Sequence, residues 1–240
     1  MLSDQVKKNI SGHLTGPSAD TSVLMVVAFV EKNLVEFSWQ YTGSSITNER
    51  GLNQQLCILL NRYAYNENYP FWFDKDHMEE PERGDSPSVD IGVLSSRDEG
   101  IKISAKCYSN RESFFSMEAK RLCKISEARQ KEYLIGRMEK GKYKERGGVE
   151  RFKKNIHGKR LKYGAMIGYV QEQNFEYWHK TINSWIDELI IETIGNSIRW
   201  TEKDKLSAIY KHESTAKFKS ENARKSGSII LFHLWVNLVK

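Results

Sequence analysis

Residues 113–120 read Ser113-Phe114-Phe115-Ser116-Met117-Glu118-Ala119-Lys120. Aromatic and apolar side chains at this density mark a buried strand. Along a strand, side chains two apart point to the same side. Glu118 and Lys120 are therefore neighbours on one face. Nowhere else in the chain does an acid stand two positions before a lysine. A carboxylate and an ammonium inside such a run are costly to bury without a purpose.

The flanking sequence extends this into a sheet. Upstream, Ser88-Val89-Asp90-Ile91-Gly92-Val93-Leu94 predicts a strand over 89–94, closed by the turn cluster 95–100. Residues 101–108 alternate and predict a hairpin partner for it, and 114–122 the next strand. A polar helix is expected over 126–140. Gly147-Gly148 breaks the chain, a short helix follows over 149–156, and 163–170 reads as a central strand buried on both faces.

Phe175, Trp178, Ile182, Trp185, Ile186, Leu189 and Ile190 keep helical spacing. Thr201 to Asp204 fits a capping box, and 228–236 reads as a closing strand. Toward the N-terminus, residues 1–20 form a polar lead-in. Asp20 or Thr21 caps a helix to about Phe37, and a second helix starts between Ser45 and Thr47, with Leu52, Leu56, Leu59, Leu60 and Tyr63 on one side. Residues 70–73 read as a short or edge strand, and 74–87, with Pro81, Gly84 and Pro87, as loop. The pattern predicts an α/β fold, a mixed central sheet flanked by helices. It is expected to be one domain over 1–240, with a core at about 45–172 and a helix-and-strand extension over 173–240.

The longest apolar run, 23–30, is too short for a bilayer, which needs about 20 residues. It also lacks the flanks of a signal peptide. Cys57, Cys107 and Cys123 are odd in number and lack zinc spacing. Reduced thiols and a cytoplasmic location, without a membrane, are the expectation. Net charge is +6, unevenly spread: residues 120–162 hold sixteen Lys and Arg against five Glu, a balance of +11, which leaves −5 for the rest. Residues 74–90 hold seven acids against Lys75 and Arg83. An acidic centre beside a basic segment suits a protein that holds a cation and a polyanion together.

Phosphodiester hydrolysis needs an acidified water and charge neutralised at phosphorus, and a divalent cation supplies both. Mg²⁺ takes oxygen ligands and keeps several waters, so one or two carboxylates suffice. Asp90 and Glu118 are the candidate ligands, with the carbonyl of Ala119 as a third oxygen. Lys120 would then face the water or the phosphate.

Asp90 followed by Glu118-Ala119-Lys120, with 27 residues between the acids (positions 91–117), resembles the PD-(D/E)XK nuclease superfamily. The resemblance covers roughly 45–172. It departs from the family pattern in that Val89, not proline, precedes Asp90. It implies a restriction-endonuclease-like fold with both carboxylates at one end of a central sheet. It also implies Mg²⁺ (or Mn²⁺) as cofactor and DNA rather than RNA as substrate. Some members add an acid from the preceding helix: Glu49 is the candidate here, with Glu79 and Glu80 as rivals. The family includes bacterial anti-phage effectors, which implies a defence nuclease restrained by a protein partner or homo-oligomer.

Gly147-Gly148 is expected to let backbone approach a phosphate. Arg151 and Lys154, with Lys153 and His157, are the expected nucleic-acid contacts. His233, in an apolar strand, reads as a satisfied core residue. Two other classes compete: a catalytically silent nucleic-acid-binding or assembly subunit on the same fold, and an interaction subunit that presents Trp178, Trp185 and Trp235.

Overall fold

The computed structural model describes residues 21–84, 86–103, 106–192 and 198–239. The expected polar lead-in, a cap at Asp20 and any role for Asp85 lie outside them. Two helices come first, α1 (Thr21–Tyr41) and α2 (Glu49–Asn66). The Asn48 side chain caps α2 by accepting from the Gly51 N–H at 2.8 Å. Strands β1 (Phe71–Met78) and β2 (Ser88–Ser95) follow, then a small hairpin of β3 (Ile101–Ile103) and β4 (Lys106–Tyr108), then β5 (Phe115–Leu122). Next come the one-turn helix α3 (Glu127–Gln130), a hairpin of β6 (Arg137–Glu139) and β7 (Lys142–Lys144), the short helix α4 (Gly148–Lys153), strand β8 (Tyr163–Val170) and helix α5 (Phe175–Ile191). Strands β9 (Tyr210–His212), β10 (Thr215–Arg224) and β11 (Gly227–Asn237) end the chain.

Seven strands form one mixed sheet in the order β1-β2-β5-β8-β11-β10-β9. β5, β8 and β11 run parallel in the middle, and the outer neighbours pair antiparallel. The fold is α/β, a mixed central sheet flanked by helices. Strand periodicity divides the core in two. Met117 and Ala119 of β5, Ile167 and Tyr169 of β8, and Leu234 and Val236 of β11 pack with α1 and α2 on one face. Leu122, Met166, Val170, Leu231 and Trp235 pack with α4 and α5 on the other. Among the described residues no helix is long and apolar enough to cross a membrane, and the three cysteines are free thiols.

Several expectations are corrected. Residues 101–108 pair with themselves, as β3 and β4, rather than with β2. The acidic segment 74–87 is not all loop, because β1 continues to Met78. The helix expected over 126–140 is cut to one α turn, Glu127–Gln130, and a 3-10 turn, Lys131–Tyr133. Tyr133 and Leu134 drop into the core, and Lys140 and Gly141 both take positive φ, the turn that closes a two-residue hairpin. The strand over 228–236 does not close an edge, because β11 lies between β8 and β10. Trp178, Trp185 and Trp235 are buried and offer no interaction surface.

His233 is wholly buried in β11, between the Tyr133 hydroxyl (2.7 Å from Nδ1) and the Ser220 hydroxyl (2.8 Å from Nε2). The Trp235 indole can only donate, and it donates to the Tyr133 oxygen at 2.8 Å. The Ser220 oxygen likewise accepts an N–H, from Asn222 at 2.8 Å, so two anchored hydroxyls clamp the His233 ring. Burial, with a smaller push from His179, lowers its pKa from 6.5 to about 3. Above pH 6.5 both folded and unfolded forms are neutral. As pH falls toward 3 the unfolded chain takes up a proton that the folded one refuses. His233 should cost on the order of 3–5 kcal/mol of stability across that window. Urea unfolding of wild type and His233→Gln at neutral and mildly acidic pH measures it. Equal acid sensitivity of the two proteins would contradict this assignment.

Candidate active site

The pairing of β2 with β5 stops at Ile91↔Met117. One step further, the register sets Asp90 opposite Glu118. There the Asp90 carboxylate takes the place of a ladder partner and accepts the Ala119 N–H at 2.8 Å. Gly92 makes the close strand packing possible: a Cβ there would lie 2.5 Å from the buried His77 ring on β1.

Glu118 and Lys120 share the face of β5 that points toward α4. Glu118 is 1% exposed. Its Oε1 lies 3.1 Å from Lys120 Nζ and 3.4 Å from Arg151 Nη1. Lys120 Nζ also lies 3.2 Å from Glu49 Oε1 and donates to the Ala119 carbonyl at 2.9 Å. Glu49, at the start of α2, thus joins the cluster. Of its rivals, Glu79 belongs to an outer ring. It accepts the Gly158 N–H at 3.0 Å on each oxygen and the Ser116 hydroxyl, and sits 3.5 Å from His157 Nδ1. Glu80 turns away to Arg83 at 3.0 Å.

His157 is fully buried between Glu79 and Glu118, with Nε2 3.4 Å from Glu118 Oε2. Among the described residues, Glu118 Oε2 and both His157 nitrogens find no hydrogen bond of good geometry. The site therefore holds a buried carboxylate oxygen with unused acceptor capacity.

Electrostatics divide the two acids. Burial, reinforced by the negative charge of Glu118, pushes Asp90 up to about 7 against the pull of Lys120. Burial also pushes on Glu118, but Lys120, His157 and Arg151 outweigh it and hold that carboxyl below its usual range. Burial works against the Lys120 charge, yet Glu118, Glu49 and Asp90 raise the group above its ordinary value. Lys120 and Glu118 are thus a fixed ion pair, and Asp90 is a carboxylate short of positive charge.

All four of the expected phosphate contacts are engaged elsewhere. Lys153 is buried against the Asp204 carboxylate, with its ammonium 4.8 Å from the Trp200 ring centroid. It cannot reach a polyanion. His157 is sealed inside the cluster, and Lys154 pairs with Glu145 at 2.7 Å and Glu150 at 2.8 Å. Arg151 points inward at Glu118. Gly147 and Gly148 do not cradle a phosphate either. A Cβ on Gly147 would meet the Ile135 backbone at 2.3 Å, and one on Gly148 the Met166 methyl at 2.3 Å. Both exist for close packing.

Sequence reasoning missed Ser116 and gave Glu79 no link to His157. Ser116 was findable, since it lies two residues before Glu118 on the same strand face. The link from Glu79 to Gly158 and His157 spans 79 positions and has no local signal.

The donor set is hard: two carboxylates, one with an unpartnered buried oxygen, and a backbone carbonyl. That chemistry fits Mg²⁺ or Mn²⁺. Among the described residues no three His, Cys, Asp or Glu side chains are gathered as a metal-binding set. A cation here would rest on Asp90, Glu118 and the Ala119 carbonyl, an oxygen that now accepts from Lys120. No protein-family model, curated protein or solved structure matches this chain.

Proposed function

We propose that the chain is a Mg²⁺-dependent nuclease (Mn²⁺ serving equally) that hydrolyses DNA, a restriction-endonuclease-like member of the PD-(D/E)XK class acting in bacterial defence. RNA is the lesser candidate substrate. The carrying observation is that Asp90, Glu118 and Lys120 converge on one face of two adjacent strands, with Glu118 Oε2 buried and unpartnered. The order of elements supports the same reading. A helix, α2, precedes the antiparallel-paired strands β1, β2 and β5, of which β2 carries Asp90 and β5 carries Glu118, and β8 returns parallel to β5.

Asp90, Glu118 and the Ala119 carbonyl would hold the ion. When bound, it supplies a Lewis acid for the phosphoryl oxygen and lowers the pKa of water. Lys120 keeps its proton and offers positive charge to the developing phosphorane. Glu49 and Glu118 fix the Lys120 ammonium in place, and Arg151 and His157 hold the Glu118 carboxylate against the helical side. A protein partner or homo-oligomer would restrain the activity.

A silent binding or assembly subunit is the second reading. It is favoured by one observation: the Lys120 ammonium already rests on three oxygens, of Glu49, Glu118 and Ala119. Calorimetric titration with Mn²⁺ separates the two. The nuclease reading expects one cation bound by wild type and none by Asp90→Asn. Wild type that binds no cation would remove the nuclease reading and leave the silent one.

A further inference from the structure

We propose that Arg160, Lys162 and Lys225, flanked by Lys159 and Arg199, form a docking surface for the phosphodiester backbone of a nucleic acid. The identity of the polymer rests on the nuclease reading above. The surface itself rests on charge and shape.

All five side chains are exposed. Elsewhere many surface lysines are neutralised: Lys131, Lys205 and Lys211 each reach a carboxylate. Here Arg160, Lys162, Arg199 and Lys225 meet no carboxylate among the described residues, and Lys159 reaches Glu80 only at 4.0 Å. Two adjoining clefts, of about 360 and 460 Å³, open between the 155–162 loop and the β10–β11 turn. Among the described residues neither is lined by an acidic side chain, and Arg224 borders both.

Among the described residues Arg224 meets no carboxylate either. Its guanidinium donates to the Gly158 carbonyl at 2.8 Å and to the Leu161 carbonyl, which pins the loop to the hairpin. The strip is thus built on a fixed backbone rather than on a loose tail. It also begins beside the candidate active site, because the pinned Gly158 donates its N–H to Glu79 and follows His157, which touches Glu118. A third cleft, of about 300 Å³, leads from Lys159 and Arg160 toward the candidate active site, and there the lining turns acidic with Glu79, Glu80 and Glu112. The exposed lysines and arginines of the first two clefts, with no described acid among them, suit contact with phosphates, which positions a polymer without reading its sequence.

The +11 segment 120–162 is thereby divided. Its β6–β7 hairpin, with Lys140, Lys142 and Lys144, also carries positive charge but adjoins none of these clefts. That hairpin makes the control. Binding of duplex and single-stranded DNA is measured by fluorescence anisotropy in EDTA, where no metal-dependent cleavage intervenes, over a series of salt concentrations. The triple variant Arg160→Glu/Lys162→Glu/Lys225→Glu is compared with Lys140→Glu/Lys142→Glu/Lys144→Glu, which changes net charge equally. The strip variant should lose about tenfold or more in affinity at low salt. Its slope of log K against log salt should flatten by roughly 2–3 for duplex, at about 0.9 per phosphate contact. The hairpin variant should keep the wild-type slope.

Equal losses in both variants, or no DNA binding by wild type, would overturn the proposal. Because the assay needs no chemistry, strip-dependent binding without any metal-dependent cleavage would uphold the surface and sink the nuclease. Cleavage that depends on Asp90 but not on the strip would do the reverse.

Discussion

Lys153→Met should lower the unfolding free energy by about 3–5 kcal/mol and leave nucleic-acid affinity unchanged. The Lys153 ammonium and the Asp204 carboxylate meet with neither side chain exposed. Removing the ammonium strands a buried carboxylate, which keeps only the Thr201 N–H at 2.7 Å and hydroxyl at 3.1 Å. Burial outweighs the attraction of Asp204 and holds the Lys153 pKa below its ordinary value. The pair as a whole therefore adds little net stability, and the cost lies in breaking it one-sidedly. Lys153→Met/Asp204→Asn should recover most of the loss, since asparagine can still cap Thr201. Urea unfolding of the two single variants and the double reads this directly. Wild-type stability in Lys153→Met would show that the pair is not buried as described.

Lys120→Met should reduce metal-dependent cleavage by at least about 10²–10³-fold, with DNA affinity retained. Its ammonium is the positive charge nearest both Glu118 and Glu49, and no neighbour is free to replace it. Arg151 is spent on Glu118 at 3.4 Å. Lys120→Arg keeps the charge but not the compact head that fits between Glu49, Glu118 and the Ala119 carbonyl, so it should lose most of the activity too. Single-turnover rates beside equilibrium binding distinguish this from a binding defect. A variant that binds normally and cleaves at the wild-type rate would remove Lys120 from the chemistry.

Strands were legible in this sequence where apolar side chains filled both faces. The elements over 88–95, 115–122 and 163–170 stand where their Phe, Val, Ile and Met runs put them. Helix α5 was legible from its stripe, and its Asn174 cap accepts the Tyr177 N–H at 2.8 Å. Strand β10 was missed although Ala216 and Phe218 alternate with Lys217 and Lys219. A half-exposed strand rich in lysine resembles a solvated surface in composition. The place of β11 inside the sheet is set by a parallel pairing with β8 that spans the whole of α5, and no local pattern encodes it.

The grouping of Asp90, Glu118, Lys120 and Glu49 was legible because period-2 alternation and helix position are local. The fates of Lys153 and His157 were not. Each is decided by a partner far away in sequence, Asp204 for one and Glu79 with Glu118 for the other. A basic segment of high charge density thus turned out to contain side chains with opposite uses. Lys153 serves the core, Arg151 serves Glu118, and Arg160 and Lys162 stay free of any described carboxylate.

The most direct test is incubation of supercoiled double-stranded DNA and circular single-stranded DNA with wild type and with Asp90→Asn, in Mg²⁺ or Mn²⁺ and in EDTA. Asparagine keeps an acceptor for the Ala119 N–H and removes the negative charge. Wild type with metal should nick or linearise at least one of the two DNAs, with no cleavage in EDTA and none by Asp90→Asn under either condition. Cleavage by Asp90→Asn at the wild-type rate, or cleavage by wild type undiminished in EDTA, would contradict the nuclease reading.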